Sequence, residues 1–81
     1  MSLTNEEKYL KCFQESFEVK SEIINSKLEY NSIPEWDSIG HMTLVAAIEE
    51  CFEISIETDD IIDFSSLEKG KEVLKKYSVE I

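Results

Sequence analysis

Arginine is absent from this chain of 81 residues, and between Leu28 and Glu68 there is no lysine either. The eight cations are lysines near the two ends: Lys8, Lys11, Lys20 and Lys27 before that stretch, Lys69, Lys71, Lys75 and Lys76 after it. A chain without a basic stripe lacks the electrostatic footprint of a phosphate-backbone binder, which argues against nucleic acid and anionic membrane as partners. Histidine occurs once, as His41, and the two cysteines, Cys12 and Cys51, are far apart and in no Cys-x-x-Cys pair. Those counts argue against a zinc knuckle or a dithiol redox motif and read the cysteines as small apolar residues on helices in a reducing compartment. No apolar run has the length of a membrane span. The first residues, Met1-Ser2-Leu3-Thr4-Asn5-Glu6-Glu7, carry neither the basic region nor the apolar stretch of a secretory signal, so a cytoplasmic location is the expectation. There is no internal repeat and no low-complexity segment.

What the middle of the chain does contain is acid: Glu29, Glu35, Asp37, Glu49, Glu50, Glu53, Glu57, Asp59, Asp60, Asp63 and Glu68, within a formal net charge of −10. Such a field repels other anions and speeds encounter with proteins that display basic patches. The length fits one domain over residues 1–81, with a modest core and little room for an enclosed substrate pocket.

The hydrophobic pattern predicts an all-α fold. Thr4-Asn5-Glu6-Glu7 reads as a capping box, and Leu10, Phe13 and Phe17 recur on one stripe of a first helix that runs to Phe17 or Glu18. The period breaks between Val19 and Asp37, where Ser21, Asn25, Ser26, Asn31, Ser32 and Pro34 mark a long connection. Ile23, Ile24, Leu28, Tyr30, Ile33 and Trp36 anchor it to the rest. Pro34 disfavours helix at Ile33, and Asp37 is a good N-cap for a second helix from Ser38 to Glu53. Met42, Leu44, Val45, Ile48 and Phe52 form its inner arc, while Ile39, Thr43, Ala46, Ala47 and Glu50 face outward. Thr58-Asp59-Asp60 caps a short third helix to Asp63, and Ser65-Ser66-Leu67-Glu68, a second capping box, opens a fourth to Tyr77. Leu67, Gly70, Leu74 and Tyr77 share the inner stripe of that last helix, and a glycine there predicts close approach of another element. Three longer helices and one short one make a small four-helix bundle with a long loop between helices 1 and 2.

Trp36-Asp37-Ser38-Ile39-Gly40-His41-Met42 puts one serine at the mouth of the second helix. Taken with Glu49-Glu50 before Phe52, Glu53-Ile54-Ser55-Ile56 and Asp59-Asp60, this segment resembles the acyl carrier protein family. The resemblance covers nearly the whole chain, is strongest from Pro34 to Leu74, and is to free-standing carriers. It implies that Ser38 is esterified with 4′-phosphopantetheine, whose thiol holds acyl groups as thioesters, and that this chain is acted on by enzymes and is not one itself. It implies a phosphopantetheinyl transferase as loading partner, with an acyl- or aminoacyl-activating ligase, a ketosynthase or an acyltransferase as users, and a monomer. Carried over by position, the partner contacts are Asp37, Ile39, Ala46, Glu49, Glu50 and Glu53. Ile39 replaces the usual leucine after the serine. Gly40 and Thr43 stand where carriers of bacterial fatty acid synthesis typically have acids, which argues against that service, while the Trp-Asp-Ser-x-Gly-His-Met wording resembles free-standing carriers of dedicated pathways, such as those that build specialised metabolites or decorate surface polysaccharides.

The site has further readings. A helix mouth tolerates the negative charge of a phosphodiester, with Asp37 beside it. His41, three residues on, either contacts that phosphate or packs as a half-buried ring at the start of the helix. A Ser38-His41-Asp37 relay is disfavoured because the helical angles do not line the three up and no chain remains to build a cleft. The rival functions are a peptidyl carrier holding an aminoacyl group and an unmodified acidic adaptor for basic proteins.

Overall fold

In the computed structural model, which describes residues 3–81, the chain forms four α-helices: α1 (Asn5–Phe17), α2 (Ser38–Phe52), α3 (Thr58–Asp63) and α4 (Leu67–Lys75). Among the described residues there is no strand. A single 3-10 turn, Ser21–Ile23, lies in the connection from α1 to α2. No described helix is long and apolar enough to cross a membrane.

The ends of α1 and α2 fall where local chemistry dictates. Thr4 Oγ1 accepts from Glu7 N–H while Glu7 Oε1 accepts from Thr4 N–H, closing the capping box that opens α1. Asp37 Oδ1 accepts from Gly40 N–H at 2.8 Å and caps α2. Both helices end on a residue in the left-handed region, Glu18 (φ 52°) and Glu53 (φ 54°). After α2 the Ile54 N–H returns to the Glu49 carbonyl, satisfying one of the orphan acceptors of the last turn.

The third and fourth helices start one residue away from the expected caps. Thr58 is the first residue of α3, and Glu57 precedes it without a side-chain capping bond. The cap of α4 is Ser66, whose hydroxyl accepts from Lys69 N–H, so the box expected from Ser65 to Glu68 does not form. Ser65 is instead drawn into backbone pairing with the long connection. Its carbonyl accepts from Tyr30 N–H at 2.8 Å, Leu28 O accepts from Leu67 N–H at 2.9 Å, and Glu29 and Ser66 form an isolated antiparallel bridge. Helix α4 stops at Lys75, short of Tyr77, because Ser78 turns into the left-handed region (φ 65°). The Val79 N–H then returns to Leu74 O, tucking Val79 into the core.

α1 packs along α2, and α3 against α4. The core is built on Tyr9, Phe13, Trp36, Leu44, Ile48, Phe64 and Leu74, all fully buried. Its aromatic rings meet largely edge to face, with Phe13 against Tyr9 at 4.9 Å and against Trp36 at 5.4 Å between centroids. Several expected core positions lie at its margin: Leu10, Phe52 and Tyr77 are half-buried, while Tyr9 and Cys12 turn fully inward on α1. Met42 is exposed, since it stands about 100° around α2 from His41, which occupies the centre of the inward arc. Of the anchors in the connection, Leu28 and Trp36 are buried, Ile24 and Ile33 half-buried, and Ile23 and Tyr30 exposed.

Both glycines sit where a side chain would collide. A Cβ on Gly70 would run into the Tyr9 hydroxyl and the Phe64 ring, which is the close approach expected there. A Cβ on Gly40 would run into the Glu35 carbonyl, so the absence of a side chain lets the connection cross over the first turn of α2.

Candidate functional site

Ser38 is the first residue of α2 and is exposed. The Asp37 carboxylate takes Gly40 N–H and the Asp37 carbonyl takes His41 N–H, while the Ser38 and Ile39 N–H groups meet no acceptor among the described residues. Two free amides at the positive end of a helix, next to an exposed hydroxyl, suit an anionic substituent on that hydroxyl. On this observation the residues present fit a phosphodiester. Asp37 stands beside it as the cap and is exposed on its other side.

The hydroxyl of Ser38 is not idle. Its Oγ lies 3.0 Å from the Tyr30 phenol, eight residues upstream across Pro34. Nothing in the periodicity of the sequence pairs these two residues. The one available signal was a tyrosine placed among the anchors of a polar connection, an apolar ring with a polar tip.

His41 is half-buried under the site, as one of its two readings required. Trp36 Nε1–H donates to its Nδ1 at 3.0 Å, and its Nε2 lies 2.8 Å from the Ile61 carbonyl. An indole N–H can only donate and a carbonyl can only accept, so the neutral ring with its proton on Nε2 satisfies both partners. Both ring nitrogens are thereby committed within the protein, and the expected phosphate contact from His41 is not available in this arrangement. The ring also lies edge-on to Tyr30 at 5.6 Å and nearly parallel to Trp36, their centroids 6.1 Å apart and their planes 20° apart. The residues of the imagined relay thus have separate partners: Asp37 with Gly40, Ser38 with Tyr30, His41 with Trp36 and Ile61.

Around the serine, Ile39 is 79% exposed, Met42 57% and, on α3, Ile62 72%. Ala46, Glu50 and Glu53 are exposed further along α2. Glu49 differs from the other acids taken as partner contacts. It is half-buried, and its Oε2 accepts from Ile56 N–H at 2.8 Å, so it holds the turn after α2.

A second acidic feature escaped the sequence reading. Asp60, buried on α3, accepts from Lys76 Nζ at 2.8 Å and from the Tyr77 hydroxyl at 2.6 Å, and Tyr77 Oη in turn accepts from Glu57 N–H. The hydrogen bonds from Lys76 and Tyr77 hold the Asp60 carboxyl below the usual aspartate range and raise the Lys76 ammonium and Tyr77 phenol. This cluster ties α3 to the end of α4 and leaves no free carboxylate oxygen for a ligand.

A cavity of about 460 Å³ opens between α1 and α2, lined by Leu3, Cys12, Ala47 and Cys51 with Lys8, Lys11, Glu15 and Glu50 at its edges. It lies along the C-terminal half of α2, roughly 13 Å or more down the helix from Ser38, and is not part of the serine site. Both cysteines are free; Cys12 is buried and Cys51 exposed. Burial, with Cys51 beside it, pushes the Cys12 thiol up to about 12. Among the described residues no group of histidine, cysteine and carboxylate side chains is arranged to hold a metal. Compared with known proteins, the chain matches no family model, no curated protein and no solved structure.

Proposed function

We propose that this chain is an acyl carrier protein and that Ser38 carries 4′-phosphopantetheine. The observation that carries the reading is the exposed Ser38 hydroxyl on the first residue of α2, with the unpaired amides of Ser38 and Ile39 beside it. The wording of the sequence around it, from Trp36 to Met42, adds the family resemblance. In this reading the four helices form the carrier's small bundle, and the connection between α1 and α2 is its long loop. When attached, the arm supplies a thiol that holds an acyl group as a thioester.

The chain's own residues bind, orient and present. Ser38 accepts the arm, the cap at Asp37 fixes the turn it stands on, and Ile39 offers an apolar anchor to the enzymes that use the cargo. Asp37, Glu50 and Glu53 form the charged rim, with Ala46 between them as a flat contact. Rim acids set encounter rate and salt sensitivity, and the apolar anchor, exposed in the free protein and covered by a docked partner, sets how long a complex lasts. Glu49 contributes to the same helix mainly by holding its C-terminal turn. The partners are a phosphopantetheinyl transferase and an activating ligase, ketosynthase or acyltransferase of a dedicated cytoplasmic pathway.

The test is coexpression of the full chain with a broad-specificity phosphopantetheinyl transferase, followed by intact-mass measurement. The expected result is a gain of one phosphopantetheinyl group, lost in a folded Ser38→Ala variant. No gain under conditions that load a control carrier would replace this reading with the acidic adaptor.

A further inference from the structure

We infer that Tyr30 is a positioning residue for the modification at Ser38: its phenol restrains the serine hydroxyl before loading and donates to a phosphate oxygen of the arm afterwards. The inference rests on the phosphopantetheine reading of Ser38. It starts from the 3.0 Å contact between Tyr30 Oη and Ser38 Oγ, the hydrogen bond the structure gives that hydroxyl.

The phenol is held from two sides. Its backbone is fixed to the start of α4 by the Tyr30 N–H to Ser65 O bond and the neighbouring bridge between Glu29 and Ser66. Its ring rests edge-on against His41, which is itself immobilised at both nitrogens by Trp36 and Ile61. Such bracing lowers the entropy that a lone exposed side chain would lose in holding one geometry. With Tyr30 36% exposed, the phenol remains open to an incoming group.

The chemistry of loading sets the direction of the bond. In the unmodified protein either hydroxyl can donate. During loading, Ser38 Oγ forms a bond to the β-phosphorus of coenzyme A and the bond from that phosphorus to the 3′,5′-bisphosphate nucleotide breaks. The electron pair leaves with the nucleotide, and the serine proton passes to the transferase. Ser38 Oγ is then an ester oxygen with no proton to give. Tyr30 must become the donor, and the anionic phosphate oxygens, two bonds beyond Oγ through the phosphorus, are the better acceptors. With both His41 nitrogens committed elsewhere, the phosphate contact falls to Tyr30, whose hydroxyl is the side-chain donor against the serine among the described residues.

The test compares the full-length protein with Tyr30→Phe, which keeps the ring against His41. Both are loaded from coenzyme A by a broad-specificity transferase, and the diester is read by phosphorus NMR. The expected result is a shifted and narrower phosphorus resonance in Tyr30→Phe, with a loading kcat/KM lower by about three- to tenfold, the worth of one hydrogen bond. In the loaded wild type, a proton contact between the Tyr30 ring and the first methylene of the arm is expected, which needs no variant. Coincident phosphorus spectra, or no such contact in the wild type, would overturn the role of Tyr30 and leave the carrier reading intact. Failure of the wild type to load would overturn the carrier reading and with it the need for a positioning residue.

Discussion

Three residues around the start of α2 do work that their neighbours cannot. Gly40 admits the Glu35 carbonyl into the first turn, so Gly40→Ala places a methyl against backbone that cannot move aside cheaply. The expected loss is about 1–3 kcal/mol by urea unfolding, despite alanine's better helix propensity; a stabilised variant would contradict the crossing. Trp36 and His41 together seal the core beneath Ser38, one with an indole N–H that would otherwise be buried without a partner, the other with the acceptor it needs. The cysteines illustrate how unequal two copies of one residue type can be. Cys12 is buried with its thiol held up to about 12, while Cys51 is exposed, so iodoacetamide at pH 8 should alkylate Cys51 in the folded protein and leave Cys12 untouched until denaturant is added. Equal labelling rates in the native state, read by peptide mass, would contradict that packing.

At the scale of elements, the helices with a local start signal were legible and the tertiary links were not. The box at Thr4 and the cap at Asp37 were written in residues adjacent in sequence, and the structure places them there, whereas the left-handed ends fall on Glu18 and Glu53, a residue type that carries no signal for that conformation. The start of α4 shifted from Ser65 to Ser66 because a bridge to Glu29, far away along the chain, claimed the backbone at that point. The Tyr30 contact to Ser38 and the Asp60 cluster with Lys76 and Tyr77 join residues separated by a loop or a helix, and no helical period records such pairs. Helical angle likewise predicted direction better than depth. Phe52 points inward yet remains half-buried at the end of α2, whereas Phe13 is fully enclosed by four other rings. Phe13→Ala should therefore cost about 3–5 kcal/mol and Phe52→Ala clearly less. Equal costs in chemical denaturation would contradict the half-buried position of Phe52.

For the whole molecule the dominant facts are a net charge of −10 and its sorting, with acids on the central helices and lysines at the ends. Lys71, itself half-buried, pairs with the exposed Glu6 and Glu68, and the exposed Lys69 with Glu72, at 3.6–3.7 Å near solvent, where such pairs contribute little. The Asp60 cluster is the exception in burial and gives stability a pH dependence of definite sign. The folded-state pKa of Asp60 lies below its ordinary 3.8, so its contribution is present above that value and is lost as pH falls below it. Glu7, lowered by its bonds to Thr4, acts in the same direction. Lys76 is raised above 10.5, so its share is intact below that value and is lost at higher alkaline pH. Asp60→Asn should be less stable than wild type at pH 7, with the gap narrowing at pH 3; a gap independent of pH would contradict the linkage.

The proposed function rests on one oxygen atom, Ser38 Oγ, and a modification there can be located directly. The full chain, loaded from coenzyme A by a phosphopantetheinyl transferase, is digested and sequenced by tandem mass spectrometry. The expected result is that the peptide spanning residue 38 carries the group on Ser38 and releases it as a pantetheine fragment. An unmodified chain, or the group on Ser32, Ser65 or Ser66 instead, would contradict it.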